Sequence, residues 1–129
     1  MVDVVKQYVS SDSPYEAVIG FSRAVRVGDR VVVSGTAPIC PDGSCPDDVG
    51  AQAARCLEII LAALARSGAR QQHVVRTRIY LIDRADAEAV FAVHVTVFGT
   101  IRPACTVVVV AGLVDPRWKV EIEAEAVVA

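Results

Sequence analysis

Four side chains in the second half of the chain are of types that do acid–base or covalent chemistry. Glu121 is one of three glutamates at alternate positions, and a carboxylate beside a substrate can act as a general base. Cys105 can act as a nucleophile if a base or a positive charge favours its thiolate, and His94 and Arg102 are the candidate neighbours. Spacing alone leaves the ordinary alternatives open: a surface glutamate, an inert buried thiol, and a histidine packed at a boundary.

Cys40 and Cys45 form a second candidate pair, because they flank a Pro-Asp-Gly-Ser turn. A metal site would need two further ligands at matching spacing, and none is visible. A disulfide across the turn is feasible geometrically, but a reducing cytosol disfavours it. We therefore predict neither, with the disulfide as the better-supported exception. The sequence has no Gly-rich phosphate loop, paired Cys-x-x-Cys motifs or His-Glu metal motif, so we also predict no cofactor.

The first half of the chain predicts strands followed by a helix. Residues 1–30 hold two or three candidate β segments, and the valines of Arg30–Gly35 indicate a buried strand. Asp47 or Asp48 then caps a helix that ends at Ser67-Gly68. Apolar residues at spacings of three and four form one stripe along this helix. The stripe consists of Val49, Ala53, Cys56, Leu57, Ile60, Leu61 and Leu64.

The second half has a similar layout. A strand is predicted at Val74–Ile82, a helix from Asp83 to Phe98, and strands at Thr106–Ala111 and Lys119–Val128. In the first of these strands Val75, Thr77, Ile79 and Leu81 alternate with Arg76, Arg78 and Tyr80. The predicted helix stripe is Ala87, Val90, Phe91, His94, Val97 and Phe98.

The element order β-β-β-α-β-α-β-β predicts an α+β fold with both helices on one face of the sheet. The other face would carry Glu121, Glu123 and Glu125 beside Arg76 and Arg78. Cross-strand ion pairs on a solvated face explain this pattern, and so does a subunit interface or a cleft. A mean hydropathy of +0.45 favours an oligomer that buries more surface.

Composition narrows the class of protein. A chain of 129 residues suits one domain over residues 1–129. A net charge of −2 without any Lys/Arg run argues against nucleic-acid and membrane-surface partners. No apolar run is long enough for a signal peptide or a membrane span, so we expect a cytoplasmic protein with reduced cysteines.

Seven stretches, taken together and in this order, resemble the Rid (reactive intermediate deaminase, or YjgF) family from residue 12 to the end. Each stretch is weak alone, and the ordered set is specific. They are Gly20–Gly28, Val33-Ser-Gly-Thr36, Asp48–Ala53, Val74–Tyr80, Ala92-Val-His94 with Phe98, Ile101-Arg-Pro-Ala-Cys-Thr106 and Val120-Glu-Ile-Glu-Ala124.

The resemblance implies a chorismate-mutase-like α+β fold and a homotrimer whose sheets pack around a central axis. It also implies three ligand sites, one at each subunit boundary. The implied activity is cofactor-free hydrolysis of enamines and imines, such as 2-aminoacrylate, to 2-oxo acids and ammonia.

The resemblance also assigns roles to individual positions. In Rid deaminases a Ser-Gly pair and a tyrosine shape the pocket, and a glutamate of the last strand orients the attacking water. Ser34-Gly35 matches the pair, Glu121 matches the glutamate, and Phe21 falls where the tyrosine would be.

One position departs from the pattern. Cys105 lies where the family has an arginine that holds the substrate carboxylate. Loss of a hydrogen bond to a charged group costs about 1.5–3 kcal/mol, so we expect weaker binding of small imino acids. This segment, with His94 before it, resembles divergent Rid subgroups. In this chain Arg102 is a candidate replacement anchor, although an offset of three in an extended segment points it to the opposite side unless Pro103 bends the chain, and His94 is a candidate ligand contact.

Two functions follow from the sequence. One is an imine or enamine hydrolase of altered specificity, with Glu121 as the catalytic residue. In that case the substrate-binding residues would be Phe21, Ser34, Gly35, His94, Arg102 and Cys105. The other is a trimer that binds a small carbonyl-bearing metabolite without turnover or acts as a stress-related, chaperone-like module.

Overall fold

A computed structural model describes residues 5–129, which form one six-stranded mixed sheet and two α-helices. The strands lie in the order β1-β2-β3-β6-β4-β5, in which β4 and β5 are parallel and the other neighbours antiparallel. The strands are β1 (Lys6–Val9), β2 (Ala24–Val27), β3 (Arg30–Thr36), β4 (Val74–Leu81), β5 (Ala104–Val109) and β6 (Val120–Val127). The helices are α1 (Val49–Arg66) and α2 (Ala87–Phe98). The α+β class and the predicted element order are confirmed.

The apolar stripe of α1 packs on β3 and β6, as its spacing predicts. Of the two candidate caps, Asp48 is the N-cap, and its carboxylate accepts a hydrogen bond from the Ala51 amide at 2.9 Å. Gly68, with a φ of 78°, follows the last turn, where a residue with a side chain would be strained. Leu57, Ile60 and Leu64 are fully buried, and each contributes about 1.5–3 kcal/mol by leaving water.

Helix α2 differs from its prediction at both its start and its apolar stripe. A short 3-10 turn, Arg84–Asp86, precedes it, so the α-helix begins at Ala87 rather than at Asp83. Val90 and Phe98 are buried, but Phe91, which we placed on the stripe, is 46% exposed. That placement was wrong because apolar residues occur all around this helix, so the sequence does not define which side faces the core.

The prediction for β4 was wrong at its first residues. We placed Val75 on the buried side with Thr77, but Val74 is buried and Val75 is 47% exposed. The pairing with β6 is irregular between Val74 and Arg76, and such a one-residue shift reverses the facing of every earlier side chain. At the sheet edge, β5 spans Ala104–Val109, two residues earlier than predicted.

The sheet has a helix face, which carries the buried residues of β6 beneath α1, and an open face, which carries the β6 glutamates. On the open face Arg78 pairs with Glu123 at 3.3 Å and with Glu125 at 3.9 Å. Tyr80 donates to Glu123 at 2.6 Å. The predicted cross-strand ion pairs are confirmed for Arg78, whereas Arg76 forms none within residues 5–129.

Neither helix that the structure describes is long and apolar enough to cross a membrane.

Candidate functional site

A cavity of about 700 Å³ opens where β3 ends and β6 begins. One side of α1 and the segments 9–15 and 36–43 complete its walls. Four of the predicted site residues line it, and they come from distant parts of the sequence. These are Phe21, Ser34, Gly35 and Glu121. The fold therefore brings together four of the seven residues that the sequence analysis predicted for the site.

Glu121 supplies a carboxylate with no hydrogen-bond donor among residues 5–129. Its pKa is raised, chiefly because burial disfavours the charged form, while Arg23 lowers it and Glu123 raises it further. A carboxylate with a raised pKa is a stronger base than an exposed one. Its oxygens are not among the fully enclosed polar atoms, so they remain accessible from the cavity.

Gly35 makes room for this carboxylate. A Cβ atom at this position would lie 3.4 Å from Glu121 Cδ, at the inner edge of ordinary van der Waals contact. Ser34 and Gly35 lie where the β3–β6 pairing shifts register, between Val33 and Thr36. Such an irregularity redirects side chains, and here it turns the strand end towards the cavity.

The Ser34 hydroxyl is already engaged, because it donates to the Ser22 carbonyl at 2.7 Å. The Ser34 amide donates to the Arg23 carbonyl at 2.9 Å. Ser34 therefore fixes the neighbouring chain and leaves only its oxygen lone pairs to the cavity.

Arg23 is a cavity residue that our sequence analysis did not single out. It is 5% exposed, and its Nη1 donates to the Gly35 carbonyl at 2.7 Å and to Thr36 Oγ1 at 2.9 Å. The guanidinium carbon lies 5.2 Å from the centre of the Phe21 ring, a cation–π arrangement that restricts its plane. Its Nε is enclosed and has no hydrogen-bond acceptor among residues 5–129.

Trp118 is a second residue that the sequence analysis missed. It is 5% exposed, lines the same cavity, and packs edge-to-face against Tyr15 with ring centres 5.7 Å apart. Its Nε1 is enclosed and has no acceptor within the described part of the chain. Buried donors are nearly always satisfied, so two unsatisfied donors around one cavity are unusual.

His94 and Cys105 form a second group, which does not line this cavity. Cys105 is exposed on the edge strand β5, where it is the register partner of Thr77. His94 Nε2 lies 2.9 Å from Thr77 Oγ1, and the imidazole packs against Phe98 with ring centres 4.9 Å apart. Burial lowers the pKa of His94, so its ring is neutral at pH 7.

Arg102, the third member of the predicted ligand set outside the cavity, is exposed beyond the end of α2. Its φ of 54° is unusual for a residue with a side chain, and its amide donates to the Phe98 carbonyl at 2.8 Å. Arg102 thus ends the helix. Within one chain, the structure does not bring it to the cavity that contains Glu121.

The four cysteines are free thiols. Burial raises the pKa of Cys45 and raises that of Cys56 far above its ordinary value, so both are protonated at neutral pH. Cys40 lies at the edge of the cavity. Within residues 5–129 no group of three or more His, Cys, Asp or Glu side chains is arranged to hold a metal ion.

Comparison with known proteins identifies the family of this chain. The family model described as Endoribonuclease L-PSP matches residues 11–128. A crystal structure of Rv2704 from Mycobacterium tuberculosis, a member of the YjgF/YER057c/UK114 family, superposes with a TM-score of 0.89 at 44% identity. That match covers 96% of this chain and 100% of the other. The chain belongs to the YjgF, or Rid, family.

Two relatives are similar to this chain over most of its length. An uncharacterized protein of Streptomyces coelicolor is 38% identical over 119 residues, which is 92% of this chain and 89% of the relative. The 2-iminobutanoate/2-iminopropanoate deaminase of Escherichia coli K12 is 31% identical in an alignment of 127 positions that covers 92% of this chain and 95% of the enzyme. The predicted family membership is confirmed.

Proposed function

We propose that this Rid protein hydrolyses small imines or enamines to carbonyl compounds and ammonia without a cofactor. The observation that carries the proposal is the unpaired Glu121 carboxylate, which has a raised pKa and faces a cavity large enough for a small metabolite. The deaminase relative acts on substrates of this class, as its name states.

The residues present support a simple hydrolytic sequence. Glu121 accepts a proton from a water molecule, and the water oxygen attacks the carbon of the C=N bond as its electron pair moves to nitrogen. Proton transfer from the Glu121 carboxyl to the nitrogen completes a carbinolamine. Collapse of that species forms the C=O bond and expels ammonia, so one water is consumed for each imine.

We further propose that the working form is a homotrimer and that the ligand site lies at its subunit boundaries. Apolar side chains remain exposed on the open face and on the edge strand, among them Val32 at 45%, Val108 at 40% and Val109 at 52%. Contact with another copy would cover this surface. It would also let β5 of one subunit, with Cys105, complete the cavity of the next.

A second candidate function is binding without turnover, in a metabolite-binding or chaperone-like trimer. It is favoured by the resemblance, which aligns Cys105 with the family's carboxylate-binding arginine, because a thiol cannot supply the positive charge of a guanidinium. Ligand-dependent thermal stabilisation in the absence of any turnover would support this alternative.

The test generates a panel of acidic and neutral imines in place with an amino-acid oxidase and follows ammonia and carbonyl product. Wild-type protein should exceed the uncatalysed rate. Glu121→Gln should lose about 10²–10⁴-fold, the usual contribution of a general base. Glu125→Gln is the matched control, because that carboxylate is engaged by Arg30 at 3.2 Å on the open face. Rates equal to the uncatalysed rate over the whole panel would overturn hydrolysis.

A further inference from the structure

We propose that Arg23 is the anion anchor of this cavity and that the ligand is a small monocarboxylate, of the 2-imino or 2-oxo acid class. The statement that the ligand carries an imine rests on the proposed function. The statement that it carries a carboxylate rests on the geometry around Arg23 alone. In this arrangement the positive charge missing at Cys105 is supplied from a different part of the chain.

The first support is that Arg23 is only partly used by the fold. Nη1 donates to Gly35 and Thr36, which fixes the guanidinium beside the catalytic strand. Nη2 donates to no described residue, and unlike Nε it is not enclosed. Since Arg23 lines the cavity and Nη2 is its accessible, unpaired nitrogen, we infer that Nη2 offers its hydrogens there. A guanidinium held in this way can form charge-assisted hydrogen bonds with a carboxylate.

The second support is that the Glu121 carboxylate does not form an ion pair with the Arg23 guanidinium. Each of Arg23 and Glu121 shifts the pKa of the other, so they are close enough to interact electrostatically. No ion pair joins them among residues 5–129, however, which places their charged atoms beyond 4.0 Å. A buried guanidinium and a half-buried carboxylate that line one cavity without an ion pair are both available to a ligand in it.

The third support is that the two other arginines lining the cavity are less suited to bind an anion. Arg55 is paired with Glu58 at 3.2 Å and donates to the Ile39 carbonyl. Arg66 donates to the Ser10 carbonyl from an exposed position on α1. Arg55 is therefore already paired and Arg66 is exposed to solvent, so both are weaker anchors than the unpaired, desolvated Arg23.

Glu16 is the other acid near Arg23, and its carboxylate accepts hydrogen bonds from the Ser10 hydroxyl and the Ser11 amide. Glu16 is therefore satisfied by its own loop. Trp118 Nε1 lines the same region but is enclosed, so it does not reach a ligand. Arg23 Nη2 is unpaired and accessible, and a free guanidinium donor matches an acceptor-bearing anion rather than a cation or an apolar ligand.

The proposed pose follows from these contacts. The carboxylate lies against Arg23, and the adjacent 2-carbon then faces Glu121, the group proposed to activate water. Selectivity should depend on the negative charge of the ligand, because a neutral amide of the same shape cannot form the charge-assisted pair.

The test measures binding, not turnover, by calorimetry with 2-oxobutanoate and its neutral amide, 2-oxobutanamide. The wild-type protein should prefer the acid by about tenfold or more, as expected for hydrogen bonds to a charged group. Arg23→Gln should abolish this preference, and Arg23→Lys should retain part of it. Arg66→Gln is the control cation at the same cavity and should retain the full preference.

If Arg23→Gln fails to fold, the wild-type comparison and the Arg23→Lys and Arg66→Gln variants still decide. Equal affinities for acid and amide, or loss of the preference in Arg66→Gln, would overturn the assignment. Failure of the proposed hydrolysis gives a different result. In that case the acid still binds through Arg23 but no imine is turned over, whereas rapid hydrolysis that is indifferent to Arg23 would refute only the anchor.

Discussion

Glu121 is the residue on which the chemistry depends, and its burial sets a pH dependence that can be measured. The folded protein holds the Glu121 proton more tightly than the unfolded chain does, because the pKa of this carboxyl is raised above its ordinary value of 4.5 on folding. Ionisation therefore disfavours the fold. This penalty is absent below pH 4.5, develops as pH rises through the raised pKa, and is fully present above it. The same raised pKa of Glu121 moves the acidic limb of the pH–rate profile to higher pH.

We accordingly expect Glu121→Gln to have a higher Tm than wild type at neutral pH. The difference in Tm between the two proteins should decrease as the pH is lowered and become constant in acid. Thermal melts from pH 4 to pH 8 measure this. Glu125→Gln removes a carboxylate that is paired with Arg30 and Arg78, so that variant should gain no stability. A Glu121→Gln difference that is independent of pH would contradict the burial argument.

Resemblance predicted Phe21, Ser34, Gly35 and Glu121, and the structure brings all four to one cavity. It did not predict Arg23, because a charged side chain beside a strand is normally solvated and no periodicity marks the rare buried one. The roles of the site residues stay predictions. The positions of His94 and Cys105 could not be foreseen, because the edge-strand register that places them beside Thr77 is a long-range property.

At the scale of elements, predictability followed the contrast between apolar and polar positions. Helix α1 has a clear apolar stripe and matched its predicted bounds closely. Helix α2 is apolar around its circumference, and β4 contains a register irregularity, so the side chains of Phe91 and Val75 were misplaced. A pattern of period two or 3.6 fails where every position is apolar or where one residue is inserted.

The start of α1 offers a prediction with a matched neighbour. Asp48→Ala removes the cap on the Ala51 amide and should destabilise the protein by about 1 kcal/mol. Asp47→Ala should cost much less, because only the backbone carbonyl of Asp47 is used, by Lys119 Nζ at 2.6 Å. Chemical denaturation of both variants measures the difference. Equal losses would show that the cap is not the source of the effect.

At the scale of the molecule, the exposed valines of the sheet predict self-association. Val108→Asp places a charge on the open face beside Tyr80, its register partner in β4, and should shift the proposed trimer to smaller species. Light scattering coupled to size-exclusion chromatography measures the mass. Ala65→Asp, on the exposed side of α1, is the control and should leave the mass unchanged. A wild-type monomer, or a Val108→Asp trimer, would contradict the proposed assembly.

The central claim is that a small 2-oxo or 2-imino acid lies between Arg23 and Glu121, and a crystal structure of the protein with 2-oxobutanoate tests it most directly. We predict the ligand carboxylate within hydrogen-bond distance of Arg23 Nη2 and the keto carbon facing the Glu121 carboxylate. We also predict Cys105 of an adjacent subunit at the cavity wall. A carboxylate bound to another cation, or a ligand bound away from Glu121, would contradict the account.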